Sequence, residues 1–235
     1  MKISSPDTNP ICDERDIYER LLSFRNADVL ELGCGKADKT LAIAEKGVRK
    51  MVALEVDEIQ HAENLRRSVP DHVRFELGGA QAIPSADQSY DIVMMFKSLH
   101  HVPLGLMDAA MAQIHRVLKT DGVAYISEPV FAGDFNEILR LFHDEQAVRE
   151  AAFAAVERAV ASGRFELASQ TFFSNPMRFE NFAEFEDKIL KVTHTQHQLS
   201  TGLYEQVKQK FMSHMTPQGA TFNMPIRVDL LRKAG

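Results

Sequence analysis

Cysteine is nearly absent from this sequence. The 235 residues hold only Cys12 and Cys34, a pair that matches no metal-ligand spacing, so no metal is expected and both thiols should remain reduced. Cys34 reads as a small loop residue. Long apolar runs are also missing: Met1 to Pro10 is polar, so neither a secretory signal nor a membrane span is expected, and the expected location is cytoplasmic. Positive charge is in short supply, with 27 Lys and Arg against 33 Asp and Glu for a net charge of −6. That balance argues against a nucleic-acid partner, which would need clustered cations. No internal repeat or low-complexity tract interrupts the chain. What remains is the composition of an ordinary globule, 45% hydrophobic and 26% charged, long enough for one α/β domain over residues 1–235 and short for two.

Short apolar runs alternate with segments of helical period from Asp28 to Pro129, the rhythm of strand–helix units in a parallel sheet. The runs predict strands at Val29–Leu32, Met51–Glu55, Val73–Glu76, Ile92–Phe96 and Val123–Ser127, with helices at Asp38–Lys46, Ile59–Ser68 and Leu106–Leu118. Beyond Pro129 the pattern changes. Asn136–Ala161 predicts one long helix, Arg178–Lys191 and Tyr204–Met215 two more, Val192–Leu199 a strand, and Thr221–Leu231 a closing strand whose Pro225 suggests an edge or a bulge. Asp16–Phe24 predicts a helix ahead of the first strand, with Tyr18 either packing or reaching toward a site.

The segment Glu31-Leu32-Gly33-Cys34-Gly35-Lys36-Ala37 follows the first strand directly. Glycines there permit positive φ and close approach of a ligand to the backbone. Alone, such a pair is shared with dinucleotide-binding folds and with plain turns. The second strand ends in Glu55, about twenty residues on, where a carboxylate can accept from both hydroxyls of a ribose. A solvated strand end is the competing reading of Glu55, while Asp57 reads as the cap of the next helix.

Taken in order, these segments resemble the class I S-adenosylmethionine-dependent methyltransferase family. The resemblance covers about Asp28 to Pro129 and the last strand. Glu31-x-Gly33-x-Gly35 is similar to its first motif and Glu55 to its ribose-binding acid. Gly78-Gly79-Ala80 through Ile83-Pro84 is similar to its adenine segment, Ser89-Tyr90-Asp91-Ile92-Val93 to its fourth strand, and Arg116 to Gly122 to the turn into its fifth. The resemblance implies a Rossmann-like fold: a mostly parallel seven-stranded sheet with an antiparallel last strand, plus a helical lid-like insertion at about 132–180. It also implies S-adenosylmethionine as cofactor, bound by Glu31, Gly33, Gly35, Glu55, Gly79, Ala80, Gln81 and Phe96. Two positions depart from the family pattern. Ala37 replaces the third glycine, and Gly79 stands where the family has an acid beside adenine, leaving Gln81 as the substitute acceptor.

The fourth strand runs out into Lys97-Ser98-Leu99-His100-His101, at the carboxyl edge where open α/β sheets place ligands. Transfer to a hydroxyl or ammonium is helped by a base that titrates near neutrality, which points to His100 and His101, with His100 preferred. Backbone hydrogen bonding is the alternative use of either ring. Glu128, after the fifth strand, can orient the histidine or contact the acceptor. Lys97 reads either as a partner for an anionic acceptor or as a surface charge. The expected acceptor is a small molecule, with neither nucleic acid nor membrane as partner. His194 and His197, three apart on a predicted strand, would face opposite sides and share no metal. Phe172, Phe173, Phe179, Phe182 and Phe185 read as packing, or as the lining of an apolar acceptor pocket. A nicotinamide-dependent oxidoreductase is the competing enzyme class, and a cofactor-binding protein without transferase activity a further alternative.

Overall fold

The computed structural model describes residues 1–191 and 199–234. A leading helix α1 (Glu14–Leu21) precedes the strand–helix alternation: β1 (Asp28–Leu32), α2 (Asp38–Ala44), β2 (Lys50–Glu55), α3 (Glu58–Leu65), β3 (Val73–Leu77), β4 (Tyr90–Phe96), α4 (Met107–Val117) and β5 (Leu118–Pro129). All five residues of β1 are buried, Asp28 and Glu31 included, because helices cover both faces of the sheet. Successive residues of β4 divide between two cores, as the two-residue strand period requires. Val93 and Met95 join Met107, Met111 and Ile114 of α4 on one face. Ile92, Met94 and Phe96 join Ile17 and Tyr18 of α1 and Ile43 of α2 on the other.

The second half supplies α5 (Asp134–Leu139), α6 (Gln146–Ala161), β6 (Phe165–Phe179), α7 (Phe182–Phe185) continued by a π-helical turn (Glu186–Leu190), α8 (Thr201–Met212), β7 (Met215–Thr216) and β8 (Gly219–Lys233). The sheet runs β3-β2-β1-β4-β5-β8-β6, with β7 added as a short partner of β8. The first five strands are parallel, and β8 runs antiparallel to both β5 and β6. The order in which successive strands are added reverses beside β1, which lies between β2 and β4. This is the topological switch point where α/β sheets take ligands at their strand carboxyl ends.

Ion pairs lock the opposite, amino-terminal rim. Lys119 bridges Asp28 and Asp91 at 2.8 and 2.7 Å, while Arg49 grips Asp28 with two nitrogens. The Arg49 hydrogen bonds outweigh burial and, with Lys119, hold the Asp28 carboxyl down at about 2. Arg116 donates to the carbonyls of Ser85 and Ile83 at 2.7 and 2.8 Å. The Asp91 and Arg116 segments thus tie strands and loops together away from the ligand edge.

Several expectations are corrected here. The long helix over 136–161 is two helices, since α5 ends at Leu139 and α6 begins at Gln146. The insertion is not helical to its end: β6 occupies Phe165–Phe179 and pairs with β8 along nearly its whole length. The closing strand is therefore interior, and Pro225 lies just past the last β5 pair, Pro129 with Ile226, where that ladder stops. Helix α6 docks through Ala152, Ala155, Val156 and Ala159 into the α4 core, the small residues allowing close approach. The strand expected at Val192–Leu199, with His194 and His197, falls almost wholly outside the described residues. Phe179, Phe182 and Phe185 pack with Phe135, Phe211 and Phe222 in a separate core, and Phe173 is buried in the α1-side core.

Candidate active site

The loop after β1 is built by two glycines with different constraints. Gly33 has φ +71°, and a Cβ there would stand 2.7 Å from the Cβ of Ser98. The turn after β4 therefore packs directly on the loop, and Ser98 donates to the Leu32 carbonyl at 2.8 Å. Gly35 has φ +52°, yet nothing lies within 4 Å of where its Cβ would be. It faces a cavity of about 270 Å³ lined by Glu31, Gly33, Lys36, Asp38, Lys39 and Phe96 among others. A larger recess of about 430 Å³, lined by His115, Arg164 and Lys233, lies by the amino ends of β4 and β5. The smaller cavity is at the carboxyl edge of the switch point, so the candidate site is there. Ala37 adopts φ +60° at the start of α2, so this position keeps the left-handed geometry of a glycine while carrying a methyl.

Glu55 is buried beside this loop and accepts three backbone amides: Gly35 at 2.7 Å on Oε2, and Val56 and Asp57 at 2.8 and 2.9 Å on Oε1. Of about four lone-pair positions on a carboxylate, one remains for an incoming hydroxyl, on the oxygen shared with Gly35. Asp57 caps α3 through Ile59 and Gln60. Asn64 of α3 donates to the Gly35 carbonyl at 2.7 Å, so the loop is held from both sides. Asn64 carries no motif in the sequence and escapes detection there; its buried position on α3 is its one signal.

Glu31 is fully buried and accepts from the Thr40 hydroxyl at 2.5 Å. Burial pushes its carboxyl up to about 7, against the pull of Thr40 and Lys39 and with the nearby carboxylates Glu14 and Glu55. Glu14, brought in by α1, ion-pairs with Lys39 at 3.1 Å and Lys97 at 3.2 Å. Burial opposes ionisation of Glu14, but the two lysines prevail and hold its carboxyl below the ordinary range. Lys97, at φ +55°, is thus more than a simple surface charge, since it is paired with buried Glu14. Phe96 forms a wall of the cavity with Lys39 4.8 Å above its ring. Tyr18 is buried at 5.8 Å from both Phe24 and Phe96, a packing position.

On the far side of Glu55, the turn at Gly79–Ala82 closes with a hydrogen bond from the Ala82 amide to the Gly79 carbonyl at 3.1 Å. The amide of Gln81 folds over Gly79, with its Oε1 2.5 Å from where a Cβ would be. An acid at position 79 and the present Gln81 position exclude each other. Ala80 is buried alongside.

After β4, a short 3-10 turn carries Leu99, His100 and His101. Glu128, 2% exposed, clamps that turn: its Oε1 accepts from the Leu99 amide at 2.9 Å, and its Oε2 meets His100 Nδ1. The carboxylate fixes the ring orientation and the proton on Nδ1, leaving Nε2 as the acceptor nitrogen. His101 is exposed and its ring lies tilted against that of His100, 4.1 Å between centroids at 45°. Glu145, at the head of α6, lies 3.7 Å from His100 Nε2. No sequence pattern foretold that approach, which depends on how α6 docks.

The profile of a methyltransferase domain matches residues 29–122. The chain is 29% identical over 126 residues to methyltransferase GfsG of Streptomyces halstedii, covering 52% of this chain and 45% of that protein. It is 34% identical over 110 residues to the demethylmenaquinone methyltransferase of Lactobacillus johnsonii, covering 42% of each. The match thus spans less than half the length of these relatives. In three dimensions it is similar to the YcgJ protein of Bacillus subtilis, with a TM-score of 0.66 at 16% identity over 94% of this chain and 97% of that one. It is also similar to the [4+2]-cyclase SpnF, with a TM-score of 0.61 at 18% identity over 94% and 79%, so this fold is not tied to a single activity. Sheet order and glycine loop define a Rossmann-like methyltransferase fold. Residues 29–122 are thus similar to a methyltransferase domain, and the chain as a whole shares the fold of such proteins. Among the described residues, no helix is long and apolar enough to cross a membrane.

Proposed function

We propose that the chain binds S-adenosylmethionine in the glycine-loop cavity and transfers its methyl to the oxygen or nitrogen of a small-molecule acceptor. The observation that carries this reading is the pairing, at one sheet edge, of an open-faced Gly35 beside Glu55 with a carboxylate-oriented histidine. Bound there, the cofactor supplies a methyl already activated on a sulfonium, so alignment and exclusion of water are the main tasks left to the protein. Glu55 offers its remaining lone pair to the ribose, and the Glu31 carboxyl faces the amino-acid end. The backbone at Gly79 and Ala80, with the Gln81 amide, borders the adenine, and Phe96 walls the cavity.

His100 acts as the base. Its Nε2 takes the proton from the acceptor while Glu128 stabilises the imidazolium through Nδ1. His101 packs its ring against that of His100. The test is transfer of radiolabelled methyl from S-adenosylmethionine to a panel of small hydroxyl and amine compounds. Label should reach an acceptor, and His100→Gln should reduce turnover by roughly 100-fold or more while S-adenosylhomocysteine binding is unchanged. Full turnover in the variant would dismiss the base role; bound cofactor with no label moved to any acceptor would leave a binding protein.

A further inference from the structure

The surroundings of His100 hold a feature that base catalysis does not use. Because Glu128 takes the Nδ1 side, the Nε2 lone pair points toward Glu145 Oε1 across 3.7 Å. Two electron-rich atoms face each other there, and a cation between them satisfies both. Glu145 is itself committed to this direction: its Oε2 accepts from Arg149 at 2.6 Å, leaving Oε1 toward the imidazoles. His143 Nε2 lies 3.0 Å from the same Oε1. One donor atom from each of His100, His101 and Glu145 falls within 4.8 Å of the others.

Donors bound to one ion at about 2.0–2.2 Å stand roughly 3–3.5 Å apart, so modest rotation of the exposed His101 brings the set into range. A carboxylate behind the ligating imidazole, as Glu128 is behind His100, is the usual outer partner of a metal-bound histidine. Two imidazoles and one carboxylate suit Zn²⁺ and its first-row neighbours, while Mg²⁺ and Ca²⁺ prefer oxygen alone.

We propose that His100, His101 and Glu145 form a binding site for a divalent cation of the Zn²⁺ class, and that its occupation switches methyl transfer off by engaging His100 Nε2. The binding half stands on the cluster alone and departs from the expectation of no metal; the inhibitory half rests on the base role proposed for His100.

Chelator-stripped protein titrated with Zn²⁺ by calorimetry should bind one ion saturably, and Glu145→Gln and His101→Ala should each weaken binding at least tenfold. Co²⁺ in the same site should give a visible d–d spectrum that these variants lose. Both variants must still bind S-adenosylhomocysteine and melt cooperatively, which separates loss of the site from loss of the fold. No saturable ion in wild type, or equal affinity in all three proteins, would overturn the site. If the ion binds as described but turnover is unchanged or raised by Zn²⁺, the inhibitory half fails and the site stands. If label transfer is missing from metal-free wild type, the methyl-transfer reading has failed instead.

Discussion

Replacing Gly35 by alanine separates a ligand cradle from a mere turn. The position has φ +52° and no atom within 4 Å of the added Cβ, so the folded protein bears only backbone strain. Left-handed geometry costs an L-residue about 1–2 kcal/mol. The less flexible unfolded chain returns about 0.4–1 kcal/mol, for a net loss near 1 kcal/mol. In a chain of this size that lowers the melting temperature by about 2–4 °C. The methyl would, however, stand in the cavity that the Gly35 backbone lines, where close approach of a nucleoside requires bare backbone. S-adenosylhomocysteine affinity should fall at least tenfold, about 1.4 kcal/mol or more, in a protein that is folded and only slightly less stable. Paired thermal melts and calorimetric titrations supply both numbers. Gly33→Ala is the control, because its Cβ would meet Ser98 at 2.7 Å and should cost stability severely. Wild-type affinity in Gly35→Ala would refute the reasoning, since no ligand would then pass over that residue.

Ala37→Gly should change stability by less than about 0.5 kcal/mol, read by denaturant midpoint, because relief of the φ +60° geometry, about 1 kcal/mol net, offsets the loss of a buried methyl, about 0.8 kcal/mol; a larger change in either direction would contradict that balance. Burial lifts the Glu31 carboxyl from its ordinary value near 4.5 to about 7, so the ligand-free protein loses stability as pH rises across that window, by up to roughly 3 kcal/mol. Glu31→Gln should match wild type near pH 5 and exceed it at pH 8 in thermal melts; a gap independent of pH would contradict the assignment. Glu128→Gln should lower turnover by about 100-fold or more with cofactor affinity kept. If the amide oxygen keeps the Leu99 amide, its NH₂ must donate to His100 Nδ1 and drive the ring proton onto Nε2. Retained turnover would mean that His100 needs no oriented tautomer.

The parallel half of the sheet was legible because each strand is an apolar run bounded by loop residues. Val29–Leu32 and Ile92–Phe96 extend by only one and two residues in the structure. The glycine loop was legible because glycine type and spacing encode φ directly, and Gly33 and Gly35 both adopt positive φ. Elements made by distant pairing were not. Strand β6 gains its hydrogen bonds from β8, with Phe165 opposite Lys233, and its own mixture of Ser, Gln, Thr and Asn gives no apolar run. The break between α5 and α6 falls at Arg140–Glu145, where neither glycine nor proline marks an end. Around the site, residues in one motif were found and those meeting across the fold were missed. Glu14 reaches Lys97 across 83 positions, Thr40 reaches Glu31, and Glu145 faces His100 only because α6 docks against α4.

The central claim is that the β1 glycine loop and Glu55 hold the nucleoside of a sulfonium cofactor. Isothermal titration of the purified protein with S-adenosylhomocysteine tests it most directly. The account predicts saturation at one equivalent, with Glu55→Ala weakening it at least tenfold. A folded wild-type protein that gives no saturable heat, or a Glu55→Ala variant that binds as tightly, would contradict it.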